Sequence, residues 1–398
     1  MMAAIAASSR GCGTVILEKN EKTGKKLYIT GKGRCNLMND CDEETFLKNV
    51  VTNPRFLYSS IYGLGPSETR RMFEDMGLSL KTERGSRVFP VSDKSSDVIK
   101  ALNARLRELG VEVLTGTAVS SVEVKNGRAA GVILSDGTHM RSDAVILATG
   151  GLSYPLTGST GDGLRIAEET GHRVIPCIPS LTGLNIQEGF CRELTGLSLK
   201  NVKLKALRRG KTVYEEQGEM LFTHYGISGP LVLTISSVLG RSIEKGEVML
   251  SLDMKPALNE DKLNDRFLRD FGENANRQLK TVLTGMMPQS MIPVFLEITG
   301  IPGDRKVNSV TREERSRMVS MLKDIRLTPS SLRGWDEAVI TKGGVDVKDI
   351  DPATMESKLI KGLYFAGEVL DLDAFTGGFN LQIAWATGRC AGIAAAGR

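Results

Sequence analysis

The stretch 362–388, Gly-Leu-Tyr-Phe-Ala-Gly-Glu-Val-Leu-Asp-Leu-Asp-Ala-Phe-Thr-Gly-Gly-Phe-Asn-Leu-Gln-Ile-Ala-Trp-Ala-Thr-Gly, restricts the possible folds more than any other. Leu363 to Ala366 is a short apolar run ending at Gly367, the pattern of a strand buried on both faces of a parallel sheet. Glu368, Asp371 and Asp373 follow at once. Three carboxylates therefore stand past the carboxyl end of a strand, where open α/β sheets bind ligands. Gly377-Gly378 lets the backbone come close to a bound group, and Leu381 to Ala386 begins a helix whose free N–H groups point back at it.

The amino-terminal residues fit the same kind of domain. Met1 to Ser9 is small and apolar with helical spacing, and Gly13 to Glu18 is a short strand ending in an acid. This is the second half of a dinucleotide-binding βαβ unit, with Glu18 placed for the adenosine ribose hydroxyls. No strand and no Gly-x-Gly-x-x-Gly precede the helix. Either the reading frame starts upstream of Met1, or the phosphate loop has been lost. An upstream start is the expectation, because later elements are intact and a sheet without its central strand leaves apolar faces wet. A basic, glycine-spaced loop, Lys25 to Asn39, follows the ribose acid, and its Lys26, Lys32 and Arg34 are candidates to meet phosphates. An ordinary strand-turn-helix and a solvated basic turn would satisfy these patterns singly. Their combination points to a flavin site, with a carboxylate on the ribityl chain and a helix start under the ring.

At 398 residues the chain exceeds one hydrophobic core, so two domains, or one with a large insertion, are expected. Fifty-two basic against 47 acidic residues give +5, too balanced to call for nucleic acid. No signal peptide or long apolar span is visible, so a cytoplasmic protein without a membrane span is expected. Six scattered cysteines lack metal-ligand spacing and read as reduced thiols, with no metal site.

Between these ends, Asp97 to Leu109 carries a helical apolar stripe, and Val111 to Val124 and Ala129 to Met140 read as strands with turns at Gly127 and Asp136-Gly137. Asp143 to Gly151 returns to the parallel sheet, and Gly158 to Gly163 opens a helix over Leu164 to Thr170. From about residue 180 the pattern changes. Leu199 to Leu207, Lys211 to Glu216, Leu231 to Leu239 and Val248 to Leu252 read as strands, and Ala257 to Leu327 as helical and Met-rich. The predicted layout is a first part over 1–180, an inserted domain over 181–337 and a second part over 338–398. The methionines at 286, 287, 291, 318 and 321 read as core filling rather than pocket lining. The basic run Lys200, Lys203, Lys205, Arg208, Arg209 and Lys211 reads as a solvated strand face without aromatic interleaving.

Thr30-Gly-Lys-Gly-Arg-Cys-Asn36 resembles the signature of the HI0933-like flavoprotein family, which includes BaiN-type reductases. Glu83 to Lys94, Ala148 to Pro155, Gly158 to Gly163 and Gly218 to Pro230 resemble further blocks of that family, so the likeness runs from Met1 to about Gly392. Its departure is the absent first strand and glycine loop. The resemblance implies an α/β fold, an FAD-binding Rossmann-like domain of the glutathione-reductase type with an inserted β-barrel and helices. It further implies an FAD site built from Glu18, Lys19, Lys26, Arg34, Cys35, Asn36, Val119, Thr149, Gly150, Gly367, Glu368, Asp373, Gly377, Gly378, Asn380 and Leu381.

Two activities are implied, reduction of conjugated double bonds in 3-oxo-Δ4,6 bile acid intermediates, with NAD(P)H as donor, and aminoacetone-type amine oxidation. The match along the opening helix and Asn36 to Pro54 favours the reductase, acting on an apolar bile acid or steroid-like molecule. A flavin-binding protein without turnover is the reading from another class. His224 and Tyr225 are the first candidates for proton transfer, with Tyr154 and Tyr364 behind them. Cys35 and Cys41 stand too far apart for the close pair of a disulfide reductase. NADH versus NADPH, the exact substrate and the oligomeric state stay open.

Overall fold

Leu363–Phe365 is a strand, fully buried, and pairs in parallel with Val145–Leu147 in a computed structural model that describes residues 1–397. A second parallel pair joins Val15–Glu18 to Glu112–Thr115. Among the described residues no strand hydrogen-bonds the two pairs together. The chain divides into two compact units, one formed by Met1–Ser180 with Gly334–Arg398 and the other by Leu181–Arg333.

In the first unit the 18-residue helix Phe379–Ala396 runs through the core. It buries Phe379, Ile383, Trp385, Ala386 and Ala391, and its polar side chains are tied inward. Trp385 Nε1 donates to the Leu37 carbonyl at 3.0 Å, Gln382 Nε2 to the Leu64 carbonyl at 2.7 Å, and Thr387 Oγ1 accepts from Gly367 N–H at 3.0 Å. A Cβ at Gly392 would collide with the Ala3 carbonyl, so this glycine lets the helix Met2–Ser8 pack directly against the last one. The expected strand pattern after Ser95–Glu108 is a three-stranded meander, Val119–Lys125, Arg128–Leu134 and His139–Arg141. Its second turn is closed by Thr138 N–H donating to Asp136 Oδ1 at 2.9 Å. Val174–Ser180 and Ile340–Val345, where the chain leaves and re-enters this unit, pair with each other antiparallel.

The second unit is a seven-stranded sheet in the order Ile325–Leu327, Val248–Asp253, Ser198–Arg208, Lys211–Thr223, Gly226–Ser228, Leu184–Ile186, Pro329–Leu332. Its edge strands are joined through Thr328 alone, which curls the sheet back on itself. Helices Glu260–Glu273, Met291–Thr299 and Arg312–Lys323 share its core. Met286, Met287, Met291 and Met318 are buried there, as core filling requires.

One expected strand is a helix. Leu231 to Leu239 lies within the helix Pro230–Leu239, and buries Leu231, Val232, Ile235, Ser236 and Leu239. That burial has helical spacing. Pro230 at the first helical position pre-sets the turn, a start signal that outweighs the β propensity of the apolar run.

His172 is buried in the first unit, with Nε2 2.7 Å from Ser357 Oγ and its ring edge-on to Phe365. Burial lowers its pKa from the ordinary 6.5. The folded imidazole stays neutral while the unfolded one takes up a proton below 6.5, so its contribution is complete above that pH and is lost as the pH falls towards the folded value. Urea unfolding followed by Trp335 and Trp385, both in this unit, is expected to show stability falling as the pH drops below 6.5. His172→Gln should flatten that fall. An unchanged slope would remove His172 as its source.

Candidate functional site

Glu368, just past the buried strand, is held by three partners. Lys26 Nζ pairs with Oε2 at 2.8 Å, while Oε1 accepts from Ser153 Oγ at 2.9 Å and from Thr341 N–H at 2.8 Å. Lys26 also donates to Ser153 Oγ at 2.6 Å. Thr341 Oγ1 in turn accepts from Leu152 and Ser153 N–H at 2.8 and 3.1 Å, which fixes the loop after Val145–Leu147 that contains Thr149 and Gly150. Strand end, basic loop and glycine turn are thus joined through one carboxylate.

Asp373 is fully buried, bonded by Thr52 Oγ1 and 3.5 Å from Lys342 Nζ. Burial raises the Asp371 pKa, and the charge of Asp373 adds to the rise, partly offset by Asn53, whose Nδ2 donates to Asp371 Oδ2 at 3.2 Å. The backbone of 50–53 runs alongside through a Val50–Ala374 bridge and the Val51 N–H to Asp373 carbonyl bond of 2.8 Å.

Gly377 and Gly378 have φ of 124° and 99°, and the helix Phe379–Ala396 starts on Gly378 without a side-chain cap. Its first-turn N–H groups, Leu381 included, are those a cofactor would meet. Asn36 is held beside them, its Oδ1 accepting from Gly378 N–H at 3.1 Å in the amide orientation that satisfies both its atoms. A cavity of about 500 Å³ opens here, lined by Asn36, Asn39, Thr45, Ser86, Arg87 and Gly377 among others.

The remaining candidates of this unit are engaged in ways the sequence did not reveal. Glu18 accepts from the backbone and side chain of Asn20 at 2.9 and 2.8 Å, and Lys19 pairs with Asp162 at 2.5 Å. Arg34 is clamped between Glu83 and Asp93 at 2.5 Å each and lies 4.2 Å over the Phe89 ring, so its guanidinium braces the loop. Asn380 closes the 374–380 turn on itself, accepting from Ala374 N–H at 2.9 Å and donating to its carbonyl at 2.8 Å. Val119 opens the meander in register with Leu134. Cys35 is buried and its thiol is pushed up to about 12, and Cys41 to about 11, chiefly by desolvation. Neither supplies a thiolate near neutrality.

His224 and Tyr225 belong to the second unit, in the tight turn between Lys211–Thr223 and Gly226–Ser228. Their rings meet edge to face at 5.0 Å, with His224 exposed and Tyr225 half-buried. Ser153, Thr341 and Lys342 were not predicted as site residues. The signal for Thr341 and Lys342 was the Thr-Lys-Gly-Gly run at 341–344, a glycine pair directly after two polar residues in a strand.

The HI0933-like protein Rossmann domain model matches residues 1–394. The chain belongs to the HI0933-like family. Its fold is that family's Rossmann-type FAD-binding domain carrying an inserted sheet with helices. Over the whole chain and 97% of the relative's length, it is 34% identical to a 3-dehydro-bile acid delta(4,6)-reductase of Clostridium scindens. It is 31% identical to a ribosomal RNA dihydrouridine synthase of Haemophilus influenzae, over 95% of the chain and 91% of that protein. The apo Sdh1 complex of Mycobacterium smegmatis shares the fold at a TM-score of 0.51 and 18% identity, covering all of this chain and 66% of that one.

With the Asp373 side chain 1% exposed beside Lys342, removing the cation leaves a poorly compensated buried charge. Lys342→Met is expected to destabilise the first unit by about 3 kcal/mol, and adding Asp373→Asn to recover more than half of that. Urea titrations read by tryptophan fluorescence measure both. Additive losses in the double variant would show that the pair is not coupled.

Proposed function

We propose that this protein is a cytoplasmic FAD-dependent reductase that saturates a carbon–carbon double bond conjugated to a carbonyl, taking electrons from NADH or NADPH. Its substrate is a 3-oxo-Δ4,6 bile acid or a related steroid. The carrying observation is the 34% identity, over essentially the full length of both chains, to the clostridial 3-dehydro-bile acid reductase.

Bound FAD supplies hydride transfer, chemistry that no side chain provides. The residues present fit that cofactor. Glu18 ends its strand as an acceptor for ribose hydroxyls, Glu368 is a partly buried acceptor for the ribityl chain, and the uncapped helix start at Gly378 offers N–H groups to the electron-rich edge of the ring. Lys26 orients Glu368; Asn36 fixes the Gly378 backbone. The high thiol pKa values of Cys35 and Cys41 speak against a dithiol relay. On the substrate side, a hydrogen-bond donor must hold the 3-oxo oxygen as negative charge develops there, and an acid must protonate the adjacent carbon. His224 and Tyr225 are assigned to that side.

The identity to a ribosomal RNA dihydrouridine synthase favours a second reading with the same bond chemistry, since dihydrouridine is uridine with its 5,6 double bond saturated. Full-length, FAD-loaded protein reduced anaerobically with NADH or NADPH separates the two. On stopped-flow mixing, a 3-oxo-Δ4,6 bile acid is expected to reoxidise the flavin. No reoxidation by the enone, with dihydrouridine appearing in added ribosomal RNA, would replace the first reading by the second.

A further inference from the structure

Two asparagines that line the cavity beside Gly377 are used differently by the protein. Asn36 spends both ends of its amide within the fold, on the Met38 and Val88 carbonyls and on Gly378 N–H. Asn39 spends only its nitrogen, which donates to the Gly85 and Gly377 carbonyls at 3.1 Å each. Those two bonds fix which way the amide faces. Its Oδ1 accepts from no described residue, although Asn39 is only 6% exposed. An oriented acceptor so far from bulk solvent is a binding group for a donor entering the cavity, because leaving it without one costs free energy.

Arg87 supplies the complementary half. It stands opposite Asn39 in the antiparallel pair of Met38–Asn39 with Arg87–Pro90, so the two side chains leave the same face of the ladder, with Cβ atoms about 5 Å apart. Both line the cavity. Arg87 Nε donates to the Arg84 carbonyl at 3.0 Å, which directs the guanidinium, and its terminal nitrogens have no partner among the described residues.

An acceptor and a cationic donor side by side match a ring edge on which an N–H adjoins a carbonyl. The pyrimidine ring of a flavin carries that edge, N3–H between two carbonyls, next to the electron-rich N1 side that a helix start favours. The position agrees, since Asn39 bonds the carbonyl of Gly377, directly before the Gly378 on which the helix Phe379–Ala396 starts. We infer that this cavity receives the pyrimidine edge of FAD, with Asn39 Oδ1 accepting from N3–H and Arg87 donating to the carbonyl oxygen beside it. All of these residues belong to the first unit. The inference rests on the FAD reading and is independent of which substrate is reduced. Reduction adds electron density to this ring, so the charge of Arg87 holds the reduced flavin more tightly than the oxidised one.

Full-length protein freed of flavin and titrated with FAD or with N3-methyl-FAD tests this, because the methyl group removes the N3 donor and intrudes on the place of Asn39. Quenching of flavin fluorescence reads both affinities without turnover. Wild type is expected to bind N3-methyl-FAD about tenfold more weakly than FAD. Asn39→Ala is expected to weaken FAD and bring the two affinities close together, since it removes the acceptor and makes room for the methyl group; a purely structural Asn39 would leave their ratio unchanged. Arg87→Gln is expected to lower the midpoint potential of the bound flavin by about 30 mV, a tenfold loss of preference for the reduced form in a two-electron couple. Equal affinity of wild type for the two flavins, or an unchanged ratio in Asn39→Ala, overturns the assignment and leaves FAD binding intact. Wild type that binds neither flavin sinks the FAD reading itself, and this inference with it. Should Asn39→Ala fail to fold, the exposed Arg87 decides. A lowered potential in Arg87→Gln then supports the assignment, and a wild-type potential refutes it.

Discussion

The first unit depends on how the helix Phe379–Ala396 is buried. A helix wrapped by protein on most sides needs partners for its polar side chains within the core. Trp385, Gln382 and Thr387 find theirs in the backbone of Leu37, Leu64 and Gly367. These bonds link the helix to the basic loop, to the segment near residue 64 and to the turn that carries Glu368. The direction of the helix start, and with it the place of Gly377 and Gly378, is therefore set by packing further along. Small residues at Gly388, Ala391 and Gly392 let the helix Met2–Ser8 approach closely, giving a contact of backbone and methyl groups with little freedom to shift.

Putting carboxylates at a buried strand end costs free energy unless each finds its own compensation. Glu368 has Lys26 and two neutral donors, Asp373 has Lys342 and Thr52, and Asp371 has Asn53 and a raised pKa. The lysines come from opposite ends of the chain, one before the meander and one after the inserted unit. Closing this site thus requires both pieces of the first unit, which ties site formation to its folding. Arg34 works differently. Clamped by Glu83 and Asp93, it stiffens the loop that presents Asn36 and contributes to the site only through that loop.

Much of this was legible in the sequence because the signals were local. The run Leu363 to Ala366, the acids behind it and the glycine pair fix strand, turn and helix whatever surrounds them. The meander announced itself through Gly127 and Asp136-Gly137. Two kinds of feature were not legible. Leu231 to Leu239 is apolar with several β-branched residues, a composition that suits strand and buried helix alike, and Pro230 decided between them. Tertiary partnerships were also hidden. Nothing local shows that Asn380 spends its amide on Ala374, or that Arg333, more than a hundred residues from Tyr225, lies on its ring. Periodicity reports which face is buried and is silent about what meets it.

The two activities named among the relatives share one reaction and differ in what must be recognised around it. Docking RNA relies on cations that exchange counterions for phosphates, and its strength grows with the number of such cations. On the long hairpin of the second unit, Lys203 and Lys205 face Glu215 at 3.7 and 3.8 Å, and Arg209 pairs with Glu247. Three of the six cations in the basic run therefore face a carboxylate, two of them sharing Glu215, and a phosphate arriving there must compete with a carboxylate as well as release a counterion. The formal charge of +5 over 398 residues adds little long-range attraction. A bile acid asks for less, one oriented donor for a carbonyl oxygen and apolar surface for its rings. The basic run offers phosphates less than its six charges suggest, and with the identity to the bile acid reductase this puts the small-molecule reading first.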